Sequence, residues 1–277
     1  MQATPTVKLT SSASSAAFNT SVTLTATMTG ASAKPVGAVT FLNGSATLGT
    51  STLNSNGVAT LAISTLPIGA NSIKANNAGD ANYATATSTA TTVTITKATQ
   101  TITFTSPITP VTYGVTPVAL IATGGASGLP VTFTFTGPAT LSNGTLTITG
   151  AGSVVVTANQ AGNGNYAAAT AVSKTITVNK ATPAAGLQAS ATTAITGSSV
   201  TFTVTLTGVA TGATPTGTVT FLDGTTSLGT GTLAKGVATY SSTKLATGKH
   251  SITAKYAGDS NYLTVASSAV VVTVTSK

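Results

Sequence analysis

A six-residue phrase occurs three times in this chain: Ala78-Gly79-Asp80-Ala81-Asn82-Tyr83, Ala161-Gly162-Asn163-Gly164-Asn165-Tyr166 and Ala257-Gly258-Asp259-Ser260-Asn261-Tyr262. The copies start 83 and then 96 residues apart, each close to the size of one small β-sandwich domain. Each follows a strand-like run and precedes another, so it reads as the turn between the last two strands of a repeated unit. Glycine supplies backbone conformations barred to other residues, and Asp or Asn closes an Asx turn on its own backbone. The tyrosines are expected to cover the end of a core while their hydroxyls stay in water. Turn chemistry accounts for every residue type in the phrase, and a binding site is the weaker reading.

The repeat divides 277 residues into three units, expected at 1–96, 97–180 and 181–277. Only 5% of residues are charged, against roughly 25% in an average protein. Such poverty suits disorder or a membrane span, but 41% of the chain is hydrophobic and alternates with Thr and Ser. No apolar run approaches the roughly 18 residues of a membrane helix. An all-β protein whose strands each have one face to bury remains. The net charge of +8 comes from scattered lysines with no arginine and no basic run, which argues against nucleic acid as a partner. Cysteine is absent, so neither disulfides nor thiolate metal sites form. Met1 leads straight into Gln2-Ala3-Thr4-Pro5, and we expect a start residue placed on an excised or processed segment.

In the first unit, strands are expected at 21–28, 38–42, 58–63 and 71–77, with a last one through Val93 and Ile95. Asn43-Gly44 is the strongest hairpin signal among them. The third unit repeats the first: Gly217 to Gly224 matches Gly37 to Gly44, and Gly236 to Thr239 matches Gly57 to Thr60 one residue out of step. Asp223-Gly224 there is expected to make the turn that Asn43-Gly44 makes. The middle unit is a different subtype, with strands expected over 100–104, 111–114, 128–133 and 150–158 and an Asn143-Gly144 turn. Lys97-Ala98-Thr99 and Lys180-Ala181-Thr182 are the same tripeptide at the two junctions. Neither is a flexible spacer, so end-to-end joining of the units is expected.

The third unit resembles bacterial immunoglobulin-like domains of the group 3 type through Gly217, Val219, Phe221, Gly224, Leu228, Gly229, Gly236, Leu245, Gly248, His250, Ile252, Ala254, Tyr256, Gly258, Asp259, Asn261 and Tyr262. The first unit resembles it too, departing at Asn71 where the third has His250 and at Asn77 where it has Tyr256. The middle unit is similar to a related immunoglobulin-like module. The resemblance implies three tandem immunoglobulin-like β-sandwiches from an extracellular or cell-surface bacterial protein. It implies a structural stalk, with an adhesin binding glycan or protein, or a filament subunit, as alternatives. Neighbouring immunoglobulin-like domains of a longer chain are the expected partners.

Chemistry finds few residues. His250 is the only histidine; its counterparts, Asn71 and Val154, point to strand-end packing rather than catalysis. Asp80, Asp223 and Asp259 are the only acids, each at a turn position where a sister unit has Asn. That exchange keeps a turn and abolishes acid–base work, so no enzyme activity is expected. Too few carboxylates sit at the junctions for calcium, and one histidine without cysteine is too little for zinc. No metal or cofactor is expected. With no tryptophan, the weak candidates for a ligand patch are Tyr240 and Tyr256, whose first-unit counterparts are Leu61 and Asn77. The singled-out residues are thus the structural turn: Gly79, Asp80, Asn82 and Tyr83; Gly162, Asn163, Asn165 and Tyr166; Gly258, Asp259, Asn261 and Tyr262.

Overall fold

Alternation of Val, Leu, Ala and Met with Thr gives a strand one apolar face, and the computed structural model, which describes residues 1–31, 33–105 and 109–277, uses it so throughout. The first repeat forms β1 (Thr6–Ser11), β2 (Ser15–Ala17), β3 (Val22–Thr29), β4 (Ala38–Asn43), β5 (Ala46–Thr52), β6 (Val58–Ile63), β7 (Gly69–Asn77), β8 (Ala86–Thr87) and β9 (Thr91–Thr96). One sheet runs β1-β3-β6 and the other β2-β9-β7-β4-β5, with β8 paired to β7. Leu24 and Met28 of the first sheet meet Phe41, Ile73 and Val93 of the second in one buried cluster. Full burial of each such side chain stabilises the fold by about 1.5–3 kcal/mol. The first and last strands of the second sheet are parallel: β2 runs alongside β9, with Ala16 opposite Ile95.

The third repeat has the same two sheets. One is built from 184–189, 200–207 and 237–242, the other from 193–195, 270–275, 248–256, 218–223 and 226–232. Register corrects the expected hairpin in both. Asn43 pairs with Ala46 and Asp223 with Thr226, so the turn centres are Gly44-Ser45 and Gly224-Thr225. A glycine with positive φ leads each turn, 59° at Gly44 and 58° at Gly224, as the type II′ hairpin requires. Asn43 and Asp223 are thereby last strand residues with side chains free for other work. Only the middle repeat centres its turn on Asn-Gly: Asn143 (φ 47°) and Gly144 (φ 73°) lie between the paired Ser142 and Thr145.

Contacts divide the chain into two compact units. One holds Met1–Ile102, Gly124–Val131 and Gln160–Thr170; the other holds Thr103–Thr123, Thr132–Asn159 and Ala171–Lys277. Residues of the middle repeat therefore fall in both. Two buried glutamines hold its share of the first unit together. Gln100 Nε2 donates to the carbonyls of Ala161 and Ala167 at 3.1 and 2.8 Å, while its Oε1 accepts Ser127 N–H at 2.9 Å. Gln160 spans Gly125 N and Leu129 O in the same way. This clasp explains a shortened strand: 100–104 was expected, but only Thr103–Phe104 pairs, because Gln100 serves the loops instead. In the second unit, Val111–Thr112 lies parallel to Val178-Asn179, and Gly152 to Ala158 pair antiparallel with Val178 to Val172. No helix is long and apolar enough to cross a membrane.

Candidate functional site

The recurring turn is closed by one side-chain oxygen. Asp80 Oδ1 accepts the N–H groups of Asn82 and Tyr83 at 2.7 and 2.9 Å. Asn163 Oδ1 takes those of Asn165 and Tyr166, both at 2.9 Å, and Asp259 Oδ1 those of Asn261 and Tyr262 at 2.8 and 2.9 Å. The asparagine two residues later does not close the turn; Asn261 Oδ1 instead accepts Ala151 N–H at 2.9 Å. Gly79 and Gly258 have φ of 88° and 86°, and a Cβ there would meet a backbone oxygen at 2.6 and 2.8 Å. No other residue fits.

The second oxygen explains the Asp–Asn exchange. Asp80 Oδ2 accepts Val36 N–H at 2.9 Å, and Asp259 Oδ2 accepts both N–H and Oγ1–H of Thr216 at 2.9 and 3.1 Å. In the middle repeat the facing group is a carbonyl, and Asn163 Nδ2 donates to Ser127 O at 3.2 Å. A carboxylate is used where the neighbour donates, an amide where it accepts. The Val36 bond, with that of Asn82, holds the Asp80 carboxyl below its usual range. Burial pushes Asp259 upward, but the bonds from Thr216, Asn261 and Tyr262 outweigh it and leave the carboxyl lowered.

Two of the tyrosine hydroxyls are not in water, contrary to the expectation from their types. Tyr83 and Tyr262 are each 1% exposed. Tyr83 Oη donates to Ala33 O at 2.5 Å; Tyr262 Oη donates to Ala213 O at 2.6 Å and accepts Val209 N–H at 3.1 Å. Burial is what raises the Tyr262 hydroxyl above its ordinary pKa. The rings lie on Gly30 and Gly208, where a Cβ would come within 2.2 and 2.3 Å of the hydroxyl oxygen. Sequence reasoning passed over both glycines, although their recurrence at matching places ahead of each tyrosine was the available signal.

The turn also receives the incoming chain. Ala3, Ala98 and Ala181 each bridge, in parallel, to Tyr83, Tyr166 and Tyr262 of the turn in their own repeat. Ala98 N–H donates to Asn165 O and its carbonyl accepts Ala167 N–H, both at 2.9 Å; Ala181 does the same with Asn261 and Leu263 at 3.0 and 2.8 Å. The residue before each alanine caps the turn: Gln2 Nε2 on Asp80 O at 2.6 Å, Lys97 Nζ on Asn163 O at 2.7 Å and Lys180 Nζ on Asp259 O at 2.5 Å. Gln2-Ala3-Thr4 is thus a third copy of the junction tripeptide, legible in the shared Ala-Thr-Pro of 3–5 and 181–183. The tripeptide seats on the repeat that follows it.

His250 and Asp223 form the one ion pair among the described residues, Nδ1 to Oδ2 at 2.6 Å. His250 Nε2 lies 2.7 Å from Ala246 O, so both ring nitrogens face acceptors and only the doubly protonated ring satisfies both. With both nitrogens donating, none is left to take a proton from a nucleophile. Tyr240 and Tyr256 do not form a shared surface. Tyr256 is buried, its hydroxyl bonded to Thr216 O at 2.8 Å and its pKa raised chiefly by that burial. Tyr240 belongs to the other sheet, stacks on Phe221 at 5.7 Å and donates to Leu228 O at 2.6 Å. An open cleft of about 300 Å³ lies in the third repeat among Thr205, Thr207, Val209, Thr214 and Lys235. Among the described residues no three His, Asp or Glu side chains gather to hold a metal.

Residues 9–96 and 187–275 match the bacterial Ig-like domain (group 3). No curated protein matches the chain. Among solved structures, FdeC, an Escherichia coli adhesin, is 20% identical over 99% of this chain and 98% of its own, with a TM-score of 0.32. The titin I-band fragment I67-I69 is 14% identical over the whole of both chains, with a TM-score of 0.37. The fibronectin(III)-like modules of Clostridium thermocellum CbhA are 21% identical over 62% of this chain and 94% of theirs, with a TM-score of 0.26.

Proposed function

This chain belongs to the bacterial Ig-like domain (group 3) family, and from that premise we propose that it is a non-enzymatic spacer in an exported or cell-surface protein. We place its domains at 1–96, 97–180 and 181–277. One observation carries the reading. In every repeat a strand near the start runs parallel to the last: Ser15 to Ala17 beside Thr94 to Thr96, Val111-Thr112 beside Val178-Asn179, and Thr193 to Ile195 beside Thr273 to Thr275. Tension between the two ends of a repeat draws such strands in opposite directions along their length. All the bonds of the patch are then loaded together in shear, where an antiparallel hairpin pulled at its open end loses them one at a time. Such an arrangement suits a segment that bears load and transmits it.

Single-molecule pulling tests the reading. The intact chain held at its two termini is expected to resist far higher force than the same chain held across β4 and β5, whose strands peel. Equal forces in the two geometries would end the spacer argument. An adhesin is the second reading, favoured by the Lys235 cleft; selective retention of a glycan or protein on an array, lost in Lys235→Ala, would establish it instead.

A further inference from the structure

The third repeat carries a longer loop than the first at one place. Gly30 to Pro35 in the first repeat becomes Gly208 to Pro215 in the third, two residues more, between strands that otherwise match. The added length meets Tyr113 and Gly114 of the middle repeat, inside one compact unit. Ala213 N–H donates to Tyr113 Oη at 2.7 Å, and Thr211 Oγ1–H donates to Gly114 O at 2.6 Å. The ring of Tyr113 meets that of Tyr262 edge-on, with centroids 5.5 Å apart, a geometry that aromatic quadrupoles favour. Tyr113 is 3% exposed.

Equivalent positions show that this is built for one neighbour. Phe18, Tyr113 and Thr196 each follow the parallel strand of their repeat and donate N–H to its last strand, at Thr96, Asn179 and Thr275. Each is followed by a residue with positive φ: Asn19, Gly114 and Gly197. Phe18 packs edge-on against Tyr166, at 5.7 Å, but has no hydroxyl to receive a loop N–H. Of the two glycines, Gly114 is closely approached and Gly197 faces open space. A Cβ there would lie 2.2 Å from Val209 Cγ2, so Val209 rests on bare backbone that a side chain would deny it. The longer loop, the hydroxyl and the glycine occur together at one junction.

We propose that Tyr113 and Gly114 are the docking surface for the 208–214 loop, and that this lock makes the third repeat and residues 103–123 and 132–159 of the middle one a single mechanical and thermodynamic body. The inference holds whether the chain acts as a spacer or as an adhesin. Without such a lock, adjoining domains move relative to one another by default.

The chain has no cysteine, so spin labels on introduced cysteines at the exposed Thr140 and Thr225 report only this junction. The otherwise unaltered 277-residue chain is expected to give one narrow distance distribution, and hydrogen exchange of residues 132–159 and of the third repeat to rise together on heating. Tyr113→Ala with Thr211→Val should widen the distribution about twofold and let the third repeat exchange independently. Tyr113→Phe with Thr211→Val deletes only the two hydroxyls and decides the matter should the alanine variant unfold; it should widen the distribution less. A broad distribution in the parent overturns the proposal. So does an unchanged width and joint exchange in the phenylalanine variant.

Discussion

His250 Nδ1 lies 2.6 Å from Asp223 Oδ2, and the same two places in the first repeat are held by Asn71 and Asn43, whose amides meet at 2.7 Å. The second contact is shared as well: His250 Nε2 reaches the carbonyl four residues back, at Ala246, and Asn71 Nδ2 reaches that of Pro67 at 2.9 Å. One bridge thus exists in two chemistries, ionic in one repeat and neutral in the other. The middle repeat drops it for Val154, which is fully buried.

The ionic version makes the third repeat sensitive to pH. The Asp223 bond first, and then the Ala246 carbonyl, raise the folded pKa of His250 above that of a free imidazole. The charged ring is therefore favoured by folding. Its contribution is complete below about 6.5 and is lost as pH rises through the folded value. Amide exchange in the 248–256 strand should accelerate as the pH climbs above neutrality, beyond the base-catalysed trend seen in β7. His250→Asn with Asp223→Asn installs the neutral bridge and should abolish the difference. His250→Ala alone, which takes the partner from Asp223 Oδ2 and leaves Oδ1 on Ser251 N–H, should cost about 1–2 kcal/mol.

Tyr262 is expected to be the costliest single residue of the turn. Removing the buried ring in Tyr262→Ala should destabilise the third repeat by about 3–5 kcal/mol. Tyr262→Phe keeps the ring but leaves Val209 N–H and Ala213 O without their partner, for about 1–2 kcal/mol. Asn261→Ala loses one bond to Ala151 and leaves the turn closed, so about 1 kcal/mol is expected. Denaturant melts rank the three; an Asn261→Ala cost equal to that of Tyr262→Ala would contradict this assignment.

Asp259→Asn should destabilise, even though Asn163 closes the middle turn well. An amide that keeps Oδ1 on the turn presents NH₂ to the Thr216 N–H and leaves that donor without its acceptor, at a cost of about 1 kcal/mol. The sign of the acid response follows from the lowered carboxyl. Its stabilisation is present above the unfolded value near 3.8 and disappears as pH falls through the folded one. Amide exchange in the third repeat of the parent should show this loss on acidification, and that of Asp259→Asn should lack it, while the first repeat keeps the response of Asp80 in both.

The recurring phrase and the alternation of apolar residues with threonine were enough to read the sandwich fold, because both act locally: a turn is closed by its own side chain, and a strand shows its buried face. What stayed hidden depends on partners distant in sequence. Asn43 looks like a turn residue until register places it opposite Ala46 and turns its amide to Asn71. Gln100 looks like the start of a strand until loops 27 and 61 residues away claim its side chain. The tyrosine hydroxyls look solvated because nothing nearby in sequence announces the loop that covers them.

Metal independence is the plainest expectation. The acids are dispersed and spent on backbone N–H groups and His250, so the melting temperature should be the same in chelator and in millimolar calcium. A rise of several degrees with calcium would demand a site, since a ligand that binds only the folded state raises its stability.

Gly208 and Tyr262 should prove energetically coupled. Gly208 does not have positive φ, so its backbone tolerates alanine and the constraint on it is space alone. A Cβ there would lie 2.3 Å from the Tyr262 hydroxyl oxygen and 2.9 Å from the ring carbon that bears it. The hydroxyl cannot swing clear without giving up its bonds to Ala213 and Val209, so Gly208→Ala should cost about 1–3 kcal/mol as overpacking. In a Tyr262→Phe background the nearest atom is already gone and those bonds are already lost. The same alanine should then cost distinctly less, giving a coupling of about 1 kcal/mol in a double-mutant cycle. Additive costs would mean that Gly208 is held small by something other than the tyrosine, and the ring-on-glycine seat would lose its place as the reason this turn follows that loop.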